Sequence, residues 1–144
     1  MIKQITFIGL GVMGEAMCGN LARRGDWPVF AYDLKSEPLE RLAAEGVPSA
    51  TSMDEAAASD FVITCLPGGD HVRSLVLDGR LLDKIKPGAV LVDMSTSQPA
   101  LMREIAEAAR AKNIDFADAP IARTRQAAAD GTLAIMVGAS DATF

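Results

Sequence analysis

Short apolar runs alternate with longer segments of helical periodicity along nearly the whole chain. The apolar runs are mostly continuous rather than alternating with polar residues, which is typical of parallel strands that are buried on both faces. The predicted strands span residues 4–10, 28–33, 60–67, 88–95, 114–120 and 131–138. The predicted helices span residues 13–24, 37–46, 54–60, 70–77 and 98–113. This order predicts an α/β fold with a mainly parallel sheet and helices on both faces.

Two of the predicted helices begin at residues that suit a helix start. Ser52 precedes the acidic first turn of the helix over 54–60, and serine is a preferred N-cap. Pro99 falls in the first turn of the helix over 98–113, where its missing N–H has no helical partner. A polar, alanine-containing segment separates the last two predicted strands, and we assign no element to it.

The length and composition fit one globular domain over residues 1–144. Hydrophobic residues make up 49% and charged residues 23%, which excludes a disordered chain. The net charge is −5 and the basic residues are scattered, so no nucleic-acid partner is expected. The N-terminal stretch resembles neither a signal peptide nor a membrane span, so we expect a cytoplasmic protein with no membrane partner. Cys18 and Cys65 form neither a CxxC pair nor a disulfide framework, and no metal site is predicted.

Three glycines, Gly9, Gly11 and Gly14, lie where the first predicted strand meets the first predicted helix. In such a turn the first glycine permits the tight bend, the second lets the backbone approach a pyrophosphate, and the third lets the helix pack against the strand. The phosphates would then lie at the helix N-terminus, whose free N–H groups attract anions. This context predicts a Rossmann-like, doubly wound domain that binds a dinucleotide. The alternative is a tight turn in an α/β fold that binds no nucleotide.

Asp33 follows Gly14 by nineteen residues, at the end of the second predicted strand. A carboxylate there suits hydrogen bonds from the adenosine ribose hydroxyls, and the alternative is a plain surface acid at a strand end. The same carboxylate would repel a 2′-phosphate, which favours NAD over NADP as the cofactor. Lys35 tempers that preference because a lysine can pair with a phosphate, so NADP stays possible.

Four segments, over residues 9–21, 65–67, 93–99 and 118–138, together resemble the β-hydroxyacid dehydrogenases, which include 3-hydroxyisobutyrate and 6-phosphogluconate dehydrogenases. The resemblance spans nearly the whole chain. It implies an oxidoreductase that transfers hydride between a nicotinamide cofactor and a small β-hydroxyacid or its semialdehyde.

The same resemblance implies a set of cofactor-binding residues. They are Gly9, Leu10, Gly11, Val12, Met13 and Gly14 at the pyrophosphate, Asp33 at the adenosine ribose, Leu66 and Pro67 near the cofactor's ribose, and Thr96 at the nicotinamide. Ser95 would lie beside the nicotinamide and contact substrate. Each has a local alternative, because Pro67 suits a strand end and Ser95 and Thr96 suit a helix cap.

The substrate loop departs from the family pattern. The family usually continues Asp-Ala-Pro with Val-Ser-Gly-Gly, and here Ala122, Arg123 and Thr124 stand at the serine and glycine positions. The stretch is similar to the P-x-x-R-T version in sulfolactaldehyde reductases, where the arginine faces a sulfonate. The resemblance therefore implies that these three residues bind a small-molecule oxyanion, which suits a guanidinium fork. The alternative is a solvated loop arginine, as Arg125 nearby suggests.

The family's catalytic lysine lies on a helix beyond the position of residue 144, followed by a helical C-terminal domain that closes the site and forms the dimer. We therefore predict no catalytic residue within residues 1–144 and expect His71 at the surface or at the cofactor's edge. The complete enzyme is expected to be a homo-oligomer, and the chain alone is expected to be inactive. A non-catalytic dinucleotide-binding module and an imine-reductase-like enzyme are the alternatives.

Overall fold

A computed structural model describes residues 3–144, and a five-stranded parallel sheet forms its centre. The strands, which lie in the order β2-β1-β3-β4-β5, are β1 Ile5–Ile8, β2 Val29–Tyr32, β3 Phe61–Thr64, β4 Val90–Asp93 and β5 Asp115–Asp118. The helices are α1 Val12–Arg24, α2 Ser36–Ala44, α3 Met53–Ala57, α4 Gly69–Arg73, α5 Leu81–Lys84, α6 Pro99–Arg110 and α7 Arg125–Asp130. Two short strands, β6 Ile121–Ala122 and β7 Ala134–Ile135, pair outside the central sheet.

Both faces of the parallel sheet are covered, which confirms the predicted α/β arrangement. On one face Phe7 of β1 packs in a cluster with Cys18 of α1 and Leu42 of α2. On the other face Leu91 of β4 packs in a cluster with Ile105 of α6. Because neighbouring side chains of a strand point to opposite faces, continuous apolar strands supply both clusters.

The strand order places a crevice at the carboxyl edge of the sheet. The chain leaves β1 for β2 on one side and later returns to β3 on the other side of β1, which makes a switch point next to β1. The register pairs Ile8 with both Tyr32 and Thr64, and pairs Thr64 with Asp93. The loops after β1, β2, β3 and β4 therefore start level with one another and meet at the same edge.

The segment over residues 131–138 was predicted to be a strand of the parallel sheet, but it does not join that sheet. Its strand β7 pairs antiparallel with β6, with Ile121 opposite Ile135, and only Gly138 forms an isolated antiparallel bridge to Asp118 of β5. A parallel crossover needs a dozen or more residues. The connection between β6 and β7 instead holds the six-residue α7 and Gly131, whose φ of +69° turns the chain back at once.

The helix ends explain which helices the sequence predicts. The Ser52 side chain accepts a hydrogen bond from the Glu55 N–H at 3.2 Å, and Pro99 is the first residue of α6, so both predicted starts are confirmed. The predicted helix over 70–77 is α4 followed by a π-helical turn, Ser74–Asp78. The short helices α5 and α7 were not predicted, because neither is long enough to show a hydrophobic period.

Ion pairs join charged side chains of several elements across the surface of the described residues. Lys86 lies 2.8 Å from Asp60, and Lys112 lies 2.5 Å from Asp83. No helix within residues 3–144 is both long enough and apolar enough to span a bilayer. In the same part of the chain, no group of three His, Cys, Asp or Glu side chains is arranged to hold a metal ion.

Candidate functional site

A cleft of about 900 Å³ lies at the carboxyl edge of the sheet, where the loops after β1, β2, β3 and β4 meet. Its lining includes these residues predicted from the sequence: Gly9, Gly11, Val12, Met13, Gly14, Asp33, Leu66, Pro67, Ser95 and Thr96. Leu10, which was also predicted, is buried and does not line the cleft. The structure therefore brings together residues that are more than 80 positions apart in sequence.

The glycine turn depends on close backbone packing at two of its three glycines. Gly9 has φ of +95°, and a β-carbon there would lie 2.3 Å from the Cys65 carbonyl oxygen. A β-carbon on Gly14 would lie 2.0 Å from the Gly9 carbonyl oxygen. No larger residue fits either position, so the chain uses glycine to hold α1 against β1 and β3.

Gly11 differs from the other two because it faces open space. No heavy atom lies within 4 Å of a β-carbon built at this position, and Gly11 lines the cleft. It is also the N-cap of α1, and no side chain caps the helix there. The N–H groups of the first helical turn are thus available at the cleft, which is the arrangement that binds a phosphate.

Asp33 is held at the adjacent end of the cleft by two backbone groups. Its Oδ2 accepts a hydrogen bond from the Leu10 N–H at 2.7 Å, and its Oδ1 accepts one from the Lys35 N–H at 2.8 Å. Leu10 thus acts through its backbone, which explains why its side chain is not needed in the lining. Each carboxylate oxygen keeps further acceptor capacity for a ligand hydroxyl.

Two cations, Lys35 and Arg41, follow Asp33 in the sequence before α2 ends, and the structure distinguishes them. Arg41 donates to both carboxylate oxygens of Glu15, at 2.7 and 2.8 Å. The same guanidinium holds the pKa of Glu15 below its usual value. Lys35, in contrast, lines the cleft. Of these two cations, Lys35 is therefore the one placed to meet a phosphate.

At the far end of the cleft, Ser95 and Thr96 follow β4. Thr96 is exposed and lines the cleft. Ser95 is only 2% exposed, and its hydroxyl donates to Asp93 Oδ1 at 2.7 Å and accepts from the Leu66 N–H at 2.8 Å. The single hydroxyl hydrogen of Ser95 is therefore committed to a protein carboxylate.

The three residues predicted for the substrate loop do not line the cleft. Ala122 lies in β6, and Thr124 is the N-cap of α7, where its hydroxyl accepts from the Ala127 N–H at 3.2 Å. The Arg123 side chain is exposed, and its Nη1 donates to the Thr132 carbonyl oxygen at 3.2 Å. In this part of the loop, Ile121 is the residue that reaches the cleft.

Several lining residues were not predicted from the sequence. They are Ile8, Tyr32, Leu34, Met53, Cys65, Ser74, Leu75, Met94 and Ile121. His71, which was expected at the surface or at the cofactor's edge, also lines the cleft. Ser74 and Leu75 come from the π-helical turn, a feature found often at functional sites. The strand order could have indicated these residues, because in this fold every segment that follows the carboxyl end of a strand can border the crevice.

Both cysteines are free thiols whose pKa is raised by burial. Burial, aided by the charge of Asp93, raises the pKa of Cys65 to about 11. Burial, aided by Glu15, raises the pKa of Cys18 to about 12. Because the thiolate is the nucleophile, neither side chain offers nucleophilic chemistry near neutral pH, although Cys65 lines the cleft.

Comparison with known proteins relates this chain to oxidoreductases. The family profile described as the NAD binding domain of 6-phosphogluconate dehydrogenase matches residues 4–144. A 2-(hydroxymethyl)glutarate dehydrogenase of Eubacterium barkeri is 40% identical over 143 residues, covering 98% of this chain and 47% of that protein. A 3-sulfolactaldehyde reductase of Escherichia coli is 33% identical over 136 residues, covering 93% of this chain and 45% of that protein. These relatives confirm the resemblance to β-hydroxyacid dehydrogenases.

A solved structure agrees with the sequence relatives. The 3-hydroxyisobutyrate dehydrogenase of Mycobacterium tuberculosis, solved with L-serine, superposes with a TM-score of 0.89 at 35% identity. The match covers 99% of this chain and 48% of that one. The chain thus spans about half the length of the relatives it matches, and its whole length corresponds to one part of them.

Proposed function

The chain belongs to the family of the NAD binding domain of 6-phosphogluconate dehydrogenase, and from this premise we propose that it holds NAD(H) across the cleft for an oxidoreductase acting on a small β-hydroxyacid or its semialdehyde. The observation that carries the proposal is the glycine turn. Gly9 and Gly14 are required by backbone packing, whereas Gly11 faces open space at an uncapped helix N-terminus. That space fits a pyrophosphate.

The remaining residues fit the two ends of a dinucleotide. Asp33 has acceptor capacity for the adenosine ribose hydroxyls beside β2, and Thr96 offers a hydroxyl at the end beside β4. The apolar lining between them, including Leu66 and Leu75, suits the faces of aromatic rings. The bound cofactor supplies hydride acceptance and donation at its nicotinamide ring.

We further propose that NAD is preferred to NADP. The Asp33 carboxylate would repel a 2′-phosphate, and Arg41 is engaged by Glu15. Lys35 is the counterweight, because it lines the same end of the cleft. A tighter affinity for NADP(H) than for NAD(H) would mean that Lys35 overrides Asp33.

The substrate and the proton transfer belong to the complete protein, and both are proposals here. Arg123 would select a small substrate ending in an oxyanion, with support from its place in the loop and from the sulfolactaldehyde reductase relative. Proton transfer would use the family's lysine, which corresponds to no position within residues 1–144. We therefore propose that these residues alone show no turnover, that the complete enzyme is a homo-oligomer, and that it works in the cytoplasm.

The direct test is calorimetry of the 144-residue chain with NADH and NADPH, together with Gly11→Val. A branched side chain at Gly11 would fill the space assigned to the pyrophosphate, so binding of NADH should fall at least about 100-fold. Gly68→Val is the matched control, because Gly68 also has no atom within 4 Å, has extended backbone and does not line the cleft. Equal NADH affinity for the Gly11→Val and Gly68→Val variants would refute the proposed site.

A further inference from the structure

Asp93 is a buried carboxylate that lies beneath the cleft at the end of β4. Its Oδ1 accepts hydrogen bonds from the hydroxyls of Thr64 at 2.8 Å and Ser95 at 2.7 Å. Its Oδ2 accepts a longer one from the Ser97 hydroxyl at 3.4 Å. No Lys, Arg or His within residues 3–144 forms an ion pair with it. The Ser95 N–H also donates to Asp93 Oδ1, at 3.3 Å. Burial of a carboxylate that has hydrogen-bond donors but no cationic partner is costly, so the fold keeps it at the expense of stability.

The charge of Asp93 is also unfavourable for its neighbours. It contributes, after burial, to raising the pKa of Asp118 on the adjacent strand β5. It contributes likewise to the raised pKa of Cys65. An apolar or neutral residue at this position would avoid both effects. The contacts of Asp93 with Asp118 and Cys65 therefore do not explain why a carboxylate is present here.

Ser95 connects Asp93 to the wall of the cleft. Because its only hydroxyl hydrogen points at Asp93, the oxygen lone pairs are free to accept from the Leu66 N–H at 2.8 Å. Leu66 packs in turn against the glycine turn, since a β-carbon on Gly9 would lie 2.9 Å from Leu66 Cδ2. One line of contacts thus runs from Asp93 through Ser95 and Leu66 to Gly9.

The strand order places this wall at one end of the cleft. From β2 through β1 and β3 to β4, the lining runs from Asp33 past the glycine turn to Leu66 and then Thr96. With the adenosine ribose at Asp33 and the pyrophosphate at α1, the other half of a dinucleotide must extend towards Leu66 and Thr96.

We propose that Asp93 is a positioning residue for the nicotinamide half of the cofactor, acting through Ser95 on Leu66 and Thr96; this inference rests on the proposed function. Asp93 fixes the direction of the Ser95 hydroxyl, and Ser95 fixes the loop after β3 against the loop after β4. A change at Asp93 should therefore affect ligands that reach the Leu66 end and spare ligands that end at the pyrophosphate.

The test compares NADH with ADP, which ends at the pyrophosphate, by calorimetry of the 144-residue chain. For Asp93→Asn and Ser95→Ala we expect NADH affinity to fall about 10-fold and ADP affinity to stay within about two-fold. Thr6→Val is the matched control, because the buried Thr6 hydroxyl forms a 2.7 Å hydrogen bond with the Ser59 hydroxyl and neither residue lines the cleft. It should lower stability without changing the ratio of the two affinities.

Each outcome decides the inference. Equal loss of both ligands, or no loss of either, would show that the Asp93 network serves only the fold and would overturn the proposal. If Asp93→Asn does not fold, Ser95→Ala decides alone, since Asp93 then keeps Thr64 and Ser97 as partners. Failure of the unsubstituted chain to bind either ligand would refute the proposed function and this inference with it.

Discussion

The glycine turn after β1 and the hairpin of β6, α7 and β7 are held in place by different kinds of contact. At the turn, Gly9 approaches the backbone of the neighbouring strand too closely for any side chain. The hairpin is held by side chains of α1. The Asn20 amide donates to the Ala128 carbonyl at 2.7 Å, and Arg24 donates to the Asp130 carbonyl at 2.9 Å. The cofactor end of the molecule therefore tolerates little change, whereas the hairpin can exchange residues without disturbing the sheet.

The largest expected effect is at the turn. Gly9→Ala adds a β-carbon 2.3 Å from a backbone oxygen at a φ of +95°, and we expect it to lower the free energy of unfolding by about 3 kcal/mol or more. Gly131→Ala in the hairpin also has positive φ, but its nearest neighbour is the flexible end of Arg24, so we expect a loss of about 1 kcal/mol.

Urea unfolding of both variants measures this difference. Gly68→Ala serves as a control, because its extended backbone and open surroundings leave only the ordinary effect of an added methyl group. Similar losses for Gly9→Ala and Gly131→Ala would mean that the turn is no more constrained than the hairpin.

The sequence was sufficient for the turn because its constraints are local. Gly9, Gly14 and Asp33 follow from spacing along one strand, one helix and the next strand, which a pattern can show. The hairpin could not be predicted in the same way. The helix α7 accepts a hydrogen bond from Asn20, a residue more than 100 positions away, and no periodicity in the sequence reports such a contact.

In the cleft, too, some features follow from local sequence and others depend on contacts between distant segments. The sequence pointed to Ser95 as a substrate contact, but the inter-strand register places its hydroxyl between Asp93 and Leu66. No spacing rule pairs β3 with β4, so this network became visible only once the two strands were aligned. Arg123 was identified as a departure from a family pattern, whereas its backbone conformation could not be read from the sequence.

An intermediate effect is expected at Asn20, which is 8% exposed. Asn20→Ala removes the donor to the α7 carbonyls, which should lower the free energy of local unfolding of α7. The hydrogen-exchange rates of residues 125–132 should therefore rise about 10-fold. NADH affinity should stay within about two-fold, since the N-terminus of α1 is unaltered.

Asn20→Asp is the sharper variant for this contact. A carboxylate of the same size has no hydrogen to donate and faces the carbonyl oxygens of Ala128 and Ala129, so exchange should accelerate more than in Asn20→Ala. Unchanged exchange in both variants would show that Arg24 and the α7 caps hold the hairpin without Asn20.

The smallest effect on stability, and one of opposite sign, is expected at Arg123. This exposed arginine has φ of +94°, a conformation that favours glycine, and it stands where the family usually has one. Arg123→Gly should therefore raise the free energy of unfolding by up to about 1 kcal/mol through relief of backbone strain. Ala122→Gly, in a strand with ordinary φ, should lower it by a similar amount.

The strained backbone of Arg123 points to a reason for the arginine besides its hydrogen bond to the Thr132 carbonyl. If that reason is the oxyanion of the substrate, Arg123→Gly in the complete enzyme should lower kcat/KM by about 10- to 100-fold, as expected for loss of a charge-assisted contact. Arg80→Gly is the matched control, because Arg80 also has positive φ but lies between the π-helical turn and α5, outside both the cleft and the loop that carries Arg123. Sulfonated and carboxylated substrates should be assayed separately at saturating cofactor. A change of less than about two-fold for both, alongside the gain in stability, would leave Arg123 as a loop residue and assign substrate choice to other side chains.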